Sequence, residues 1–246
     1  MEYAYIILLS AIQGITEFLP VSSSAHLALL PSLSGMADQG GFIDVAAHVG
    51  SLLAVMWHYR DRVVQLILIK DKKLLRRLII SFLPVLAVGW LIDPPRGVLV
   101  IAVNLIIFGA VLWVADKYGR SDREVSPITA LIAGAAQLAA LVPGVSRSGI
   151  TISAMRARGV KRTEALDFSF MMSMPAIAAA GGLTLIHAIG GSDPVDWGAA
   201  GLAMAASCVF SLGVIRLMLG SVKKFSFSGF AVYRIILGVI LLAFYV

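Results

Sequence analysis

A single cysteine, Cys208, leaves no intrachain disulfide to staple this chain, and its apolar neighbours, without metal-site spacing, assign it to packing. Charge is scarce as well: 14% of residues are charged, 59% are apolar, and the mean hydropathy is +0.91. That balance excludes an ordinary soluble domain and indicates an all-α polytopic membrane protein. No basic region precedes the first apolar stretch, which begins with Glu2 and runs into Gln13 and Glu17, so no cleavable signal peptide is expected. The net charge of +6 does not point to nucleic acid, because the basic residues sit in short segments between apolar runs. That placement is a topology signal, and the surrounding partners are membrane lipids. With about 20 residues needed per crossing, 246 residues allow one integral membrane domain over 1–246 rather than several.

The basic segments orient the chain. One loop between apolar stretches 42–59 and 76–92 holds Arg60, Arg62, Lys70, Lys72, Lys73, Arg76 and Arg77, which the positive-inside rule places in the cytoplasm. Segments 116–124, with Lys117, Arg120 and Arg123, and 156–164, with Arg156, Arg158, Lys161 and Arg162, read the same way, and Lys223 and Lys224 mark a fourth. Connections near 93–96 and 191–196 carry Asp93, Arg96, Asp193 and Asp196 and should face outward. Since 116–124 and 156–164 share a side, the apolar stretch 125–155 must cross an even number of times. Pro143-Gly144 and the Ser-Arg-Ser cluster break it into halves too short to span, so a re-entrant hairpin is expected.

The stretch "QGITEFLPVSSSAHL" at the N-terminus has the same design, proline then hydroxyls at the break of an apolar run. "LPVSSS" from Leu19 parallels "VPGVSRS" from Val142, and Asp44 and Asp167 follow Pro20 and Pro143 at equal distance. The expectation is about six transmembrane helices plus two opposed re-entrant hairpins, arranged as an inverted-topology repeat with halves near 1–120 and 121–246.

Irregular backbone at membrane depth survives only where protein buries it or water reaches it, and ionisable groups there mark functional sites. Arg147 offers a planar, permanently charged fork for phosphate or carboxylate. Ser146, Ser148 and Thr151 add hydroxyls, and Gly144 and Gly149 allow close backbone approach. The G-x-x-x-x-G spacing is no nucleotide P-loop, since Ile150 stands where lysine belongs. On a helix Gln13 and Glu17 share a face, able to hold a hydrated divalent cation or to orient a nucleophile, and Ser23 and His26 share another. Nucleophile, activator, proton donor and charge stabiliser together suit phosphoryl transfer. Ser22 is expected to cap the second helix of the first hairpin. A purely structural Glu17–Arg147 ion pair is the plain alternative, and His48, His58 and His187 are read as packing or interfacial. "FSFMMSMPAIAAAGG", with Met171, Met172 and Met174, is a candidate wall for a lipid tail, against ordinary helix packing.

"QGITEFLPVSSSAH" and "PGVSRSGIT" resemble the two signature motifs of the bacitracin-resistance type undecaprenyl diphosphate phosphatases, and "HVGSLLAV" and "FAVYRIILGVI" extend the resemblance over nearly the whole chain. The resemblance implies a bacterial-type cytoplasmic (inner) membrane enzyme, with its site open to the periplasmic or extracellular side. It would remove the terminal phosphate of a polyprenyl diphosphate and so recycle the lipid carrier for peptidoglycan and other cell-wall polymers. It also implies a divalent cation, Mg²⁺ or Ca²⁺, and matches Glu17, Ser23, His26, Ser146, Arg147 and Thr151 to functional positions. Gln13 stands where many members have glutamate, leaving one carboxylate for a metal. A transporter or polyprenyl-phosphate flippase using the same anion site is the rival reading, water attack without a phosphoserine stays open, and the oligomeric state, a homodimer included, is unread.

Overall fold

The computed structural model describes residues 2–35, 40–119, 122–190 and 196–245, and among these every regular element is helical. Its α-helices are α1 (Glu2–Thr16), α2 (Ser23–Ser34), α3 (Gly41–His58), α4 (Arg60–Ile67), α5 (Lys72–Val88), α6 (Val98–Tyr118), α7 (Pro127–Gln137), α8 (Arg147–Ala157), α9 (Arg162–Gly190), α10 (Trp197–Ser221) and α11 (Ser228–Tyr245). Arg120 and Asp193 of the expected loops, and the side chain of His187, lie outside what is described.

Side-chain caps start several of these helices, because the first free N–H groups need acceptors. Asp71 accepts from Leu74 N at 2.9 Å, Ser126 from Thr129 N at 3.2 Å with Pro127 next, and Asp196 from Ala199 N at 2.9 Å. Five apolar helices are long enough to cross a bilayer: Gly41–His58, Lys72–Leu91, Val98–Tyr118, Arg162–Ile186 and Trp197–Ser221. The sixth expected span corresponds to α11, which is apolar but shorter. Leu86, Ile107, Val209 and Leu217 turn outward, an unfavourable surface in water and an ordinary one in lipid. This is a multi-pass membrane protein.

Apolar surface provides no drive for helices to associate in lipid, so close backbone approach and hydrogen bonds hold them. On α3, Gly50 backs onto the Met204 carbonyl of α10, and Ser51 Oγ lies 3.0 Å from both Ser207 Oγ and Ser211 Oγ. Gly14 seats α1 against Ser207 of α10, and Gly134 seats α7 against the Ser81 carbonyl of α5. A side chain at Gly50 or Gly134 would force these pairs apart.

The basic segments meet at one end of the bundle, though in a different form from the loops expected. Residues 60–77 are largely helical, forming α4 and the start of α5. Arg156 is not a solvated loop charge but a buried residue of α8. Its Nε donates to Asp116 Oδ1 at 3.1 Å, and Arg162 Nε reaches the same oxygen at 2.7 Å. Asp116 Oδ2 also accepts from Phe227 N at 2.9 Å, beside Lys223 and Lys224. Arg123 and Lys161 pair through backbone: Arg123 N donates to Gly159 O and Lys161 N to Arg123 O, each at 3.1 Å. Arg62 ion-pairs with Asp167 of α9.

Between α1 and α2, and between α7 and α8, the helices break, and the two breaks touch inside the bundle. Ser148 Oγ donates to Leu19 O at 2.9 Å. Arg234, fully buried on α11, donates to Pro20 O at 3.4 Å from one side and to Gly144 O at 2.9 Å and Val145 O at 2.7 Å from the other.

Candidate active site

Where the breaks meet, Glu17 is the centre of a ring of donors. One turn of α1 brings the Gln13 amide onto it, with Nε2 donating to Oε2 at 3.0 Å, as the four-residue spacing predicts. Ser23, the first residue of α2, donates its hydroxyl to the same Oε2 at 2.8 Å. Arg147, the first residue of α8, places Nη2 at 2.8 Å from Oε1 and Nη1 at 2.9 Å from Ser169 O. His48 Nε2 stands 3.6 Å from Oε2. A buried carboxylate is tolerable only when its lone pairs are met in this way, and Glu17 is 8% exposed.

Glu17, Ser23, His48, Ser146, Arg147 and Ser148 line a cavity of about 280 Å³, whose lining is completed in part by the apolar residues Ala176, Ile177, Ala180 and Gly181 of α9. The ion pair of the plain alternative therefore exists, but it opens onto a polar cavity beside a serine held by the same carboxylate. Ser146 caps α8, accepting from Gly149 N at 3.1 Å, so the free N–H end of that helix lies at the cavity wall.

Several expected positions are placed elsewhere. Ser22 precedes α2 but does not cap it: its hydroxyl lies 3.2 Å from Ser24 Oγ. His26 is drawn away from Ser23, with Nδ1 2.8 Å from Ser22 O and Nε2 2.7 Å from the Tyr233 hydroxyl, and its ring stacks on that of Tyr233. It faces a separate apolar groove of about 820 Å³ between α1, α2 and α11. Gly144 lies against α6, where an added Cβ would come within 2.6 Å of Ile101 O, so its role is packing rather than lining. Thr151 is buried behind Arg147, bonded to Arg147 O at 2.9 Å and to Ser169 Oγ at 2.8 Å, so it braces the residue whose carbonyl receives the guanidinium. Met171 and Met172 belong to the core, and the alanines and glycines after Pro175 form the cavity wall instead.

Two residues escaped the sequence reading. His48, read as packing or interfacial, lines the cavity; the signal available was its place in "HVGSLLAV" four residues after Asp44. Arg234 ties both breaks; its signal was a lone arginine within the apolar run of α11.

The chain is 42% identical to an undecaprenyl-diphosphatase of Campylobacter curvus (strain 525.92), with 100% of each chain covered. It is 40% identical to one of Maricaulis maris (strain MCS10), also over 100% of each, and 43% identical to one of Roseobacter denitrificans (strain ATCC 33942 / OCh 114), over 99% of each. The family model described as bacitracin resistance protein BacA matches residues 6–240. With that match over nearly its whole length, the chain belongs to the BacA family of bacitracin resistance proteins.

Proposed function

We propose that this protein is a membrane phosphatase that hydrolyses the terminal phosphate of undecaprenyl or a related polyprenyl diphosphate, returning the monophosphate for peptidoglycan and cell-wall polymer synthesis. The observation that carries the reading is the Ser23 hydroxyl donating to Glu17 at 2.8 Å with Arg147 on the other carboxylate oxygen, all three facing one cavity. Full-length relatives that bear the name undecaprenyl-diphosphatase support it. A transporter needs an anion site but has no use for a serine poised on a carboxylate.

In this reading Arg147, with Ser146 and Ser148, grips the diphosphate. Glu17 takes the Ser23 proton as Oγ attacks the terminal phosphorus, the P–O bond to the bridging oxygen breaks, and the prenyl monophosphate leaves. Water then cleaves the phosphoserine. His48, the imidazole at the cavity, carries the proton to the leaving oxygen. His26 acts as a positioning residue, fastening the start of α2 to α11 through Ser22 O and Tyr233.

The donor set fits a hard divalent cation. Gln13 Oε1 is buried without a hydrogen-bond partner beside Glu17, and the neighbouring donors, Glu17 Oε2 and Ser23 Oγ, are oxygens. Among the described residues no group of three or more His, Cys, Asp or Glu stands ready, so substrate phosphate oxygens would complete the shell. A bound Mg²⁺ or Ca²⁺ would neutralise phosphate charge. Chelation is expected to remove activity and either ion to restore it; full activity after exhaustive chelation would limit Glu17 to acting as base or orienting group for Ser23.

The same reading takes the chain as one integral domain of the bacterial cytoplasmic membrane, built as inverted repeats of 1–120 and 121–246 with two opposed re-entrant hairpins. Support comes from the backbone pairing of Arg123 with Gly159 and Lys161, which ties the entry of α7 to the exit of α8. A reciprocal packing adds to it: α1 of the first half lies on α10, and α7 of the second half on α5. In this reading the cluster of basic ends lies at the cytoplasmic face, as the positive-inside rule favours, and the site opens to the other side. In a Cys208→Ser background, an impermeant thiol reagent on intact cells should label Trp197→Cys and spare Lys117→Cys and Arg158→Cys. Labelling of Arg158→Cys without Lys117→Cys would mean that α7 and α8 cross the membrane. The enzymatic reading itself rests on phosphate release from long-chain prenyl diphosphate by detergent-solubilised protein; substrate uptake into vesicles without release would replace it with the transporter.

A further inference from the structure

Among the described residues, one apolar groove adjoins the polar cavity and a larger one does not. The larger, about 820 Å³, shares no lining residue with the cavity, and the hydrogen-bonded His26–Tyr233 pair belongs to its lining. A second groove of about 430 Å³ runs between α3, α9 and α10, and Val45 and Gly181 line both it and the cavity that holds Ser23 and Arg147. Part of its lining is small: Ala46, Ala178, Gly182, Ala200 and Gly201 leave space that larger residues would fill. Phe42 and Trp197 stand edge to face across one end, 5.5 Å apart, and Trp197 and Leu185 are exposed on its outer side.

We infer that this second groove receives the prenyl chain of the substrate, so that Val45 and Gly181 mark the point where the chain leaves its diphosphate. The inference rests on the phosphatase reading for the identity of the head group. A prenyl chain drawn from the bilayer is already in an apolar medium, so the groove gains little by dehydrating it. Its value is positional. The chain must leave the cavity sideways without crossing a polar surface, and a trough of glycines and alanines beside the cavity holds the first prenyl units in line while the remainder stays in lipid. The larger groove reaches Phe225 and Ser226, next to the basic end, and offers no such route from Ser23.

Three glycines allow a test, since a Cβ at Gly182, Gly201 or Gly229 would meet nothing within 4 Å. Gly182→Phe and Gly201→Phe fill the groove beside the cavity, and Gly229→Phe fills the larger one. With undecaprenyl diphosphate in detergent, the first two should raise KM at least about tenfold, because a ring in the trough keeps the first prenyl units from lining up beside the cavity. Isopentenyl diphosphate, too short to enter the groove, should be turned over within about twofold of wild type, and Gly229→Phe should leave both substrates within the same limit. A second measurement uses the unmodified protein and a prenyl diphosphate with a benzophenone near its first units. Adducts are expected in residues 42–52, 178–185 or 197–204. Unchanged long-chain KM in both groove variants, an increase confined to Gly229→Phe, or adducts confined to α1, α2 and α11 would each overturn the inference. Absence of phosphate release by the wild type from either substrate would instead overturn the phosphatase reading, and the photo-labelling would still decide the groove.

Discussion

At the first break Ser22 turns the chain into α2 with φ 78°, and at the second Ser146 turns it into α8 with φ 71°. Both are non-glycine residues held in the left-handed region, a cost accepted only where the surroundings demand it. The side chains then diverge. Ser146 caps its helix through Gly149 N, whereas Ser22 spends its hydroxyl on Ser24. The next residue separates them completely: Ser23 brings a hydroxyl to Glu17, and Arg147 brings a guanidinium. In the proposed function, two similar turns thus supply the opposite halves of a phosphoryl-transfer site, nucleophile with activator from one and charge stabilisation from the other. The site needs both, because neither break alone can satisfy Glu17.

That division can be tested most sharply at Ser23. Replacing it with alanine removes one hydroxyl and little packing, so turnover should fall by at least about three orders of magnitude with substrate binding retained. Ser24→Ala, at the exposed neighbour, should cost less than about threefold; equal losses would take the nucleophile's role from Ser23.

Arg234 is common to the two breaks, and Arg234→Met tests whether they form one unit. Three carbonyls lose a charged donor, so a loss of about 3 kcal/mol or more is expected, roughly 6–12 °C in melting temperature. An unchanged melting curve would mean that the breaks hold together without it.

Arg147→Lys keeps the charge of the second break and removes the fork. Turnover should drop about a hundredfold while the melting temperature stays close to wild type, since the carboxylate keeps a cation beside it. A folded variant with near-normal phosphatase activity would reduce Arg147 to an ion-pair partner.

The smallest effects are expected at the two histidines. His48→Ala should slow turnover by about tenfold to a hundredfold, at or below the low end of the range for a positioned proton carrier, because water can reach the cavity in its place. His26→Ala should lose less, and Tyr233→Phe part of the same loss, because His26 holds the start of α2 through Tyr233 as well as through Ser22 O. If His26→Ala proves the more damaging and Tyr233→Phe is silent, proton delivery belongs to His26, with its ring turned from Tyr233.

Much of the site was legible in the sequence because its ingredients are local. Gln13 and Glu17 meet through one helical turn, and Ser146 and Arg147 announce themselves as polar residues at a proline break. Thr151 and Gly144 belong to the same motif, yet one braces the Ser169 that receives Arg147 and the other packs on α6, and no spacing rule distinguishes lining a cavity from supporting its wall. His26 shares a helix with Ser23, but its orientation depends on Tyr233, more than two hundred residues away in the chain.

Composition alone determined that the chain lives in a membrane, since so apolar a surface cannot be solvated, and the proline-hydroxyl breaks with their lone arginine marked where polar residues would gather within the bundle. Only tertiary structure decided the partners. His48 comes from α3 and Arg234 from α11, and whether either reaches the breaks depends on where those helices pack. In lipid that packing is set by close contacts such as Gly50 on Met204 and Gly14 on Ser207, which are specific to geometry and leave no periodic trace in the sequence.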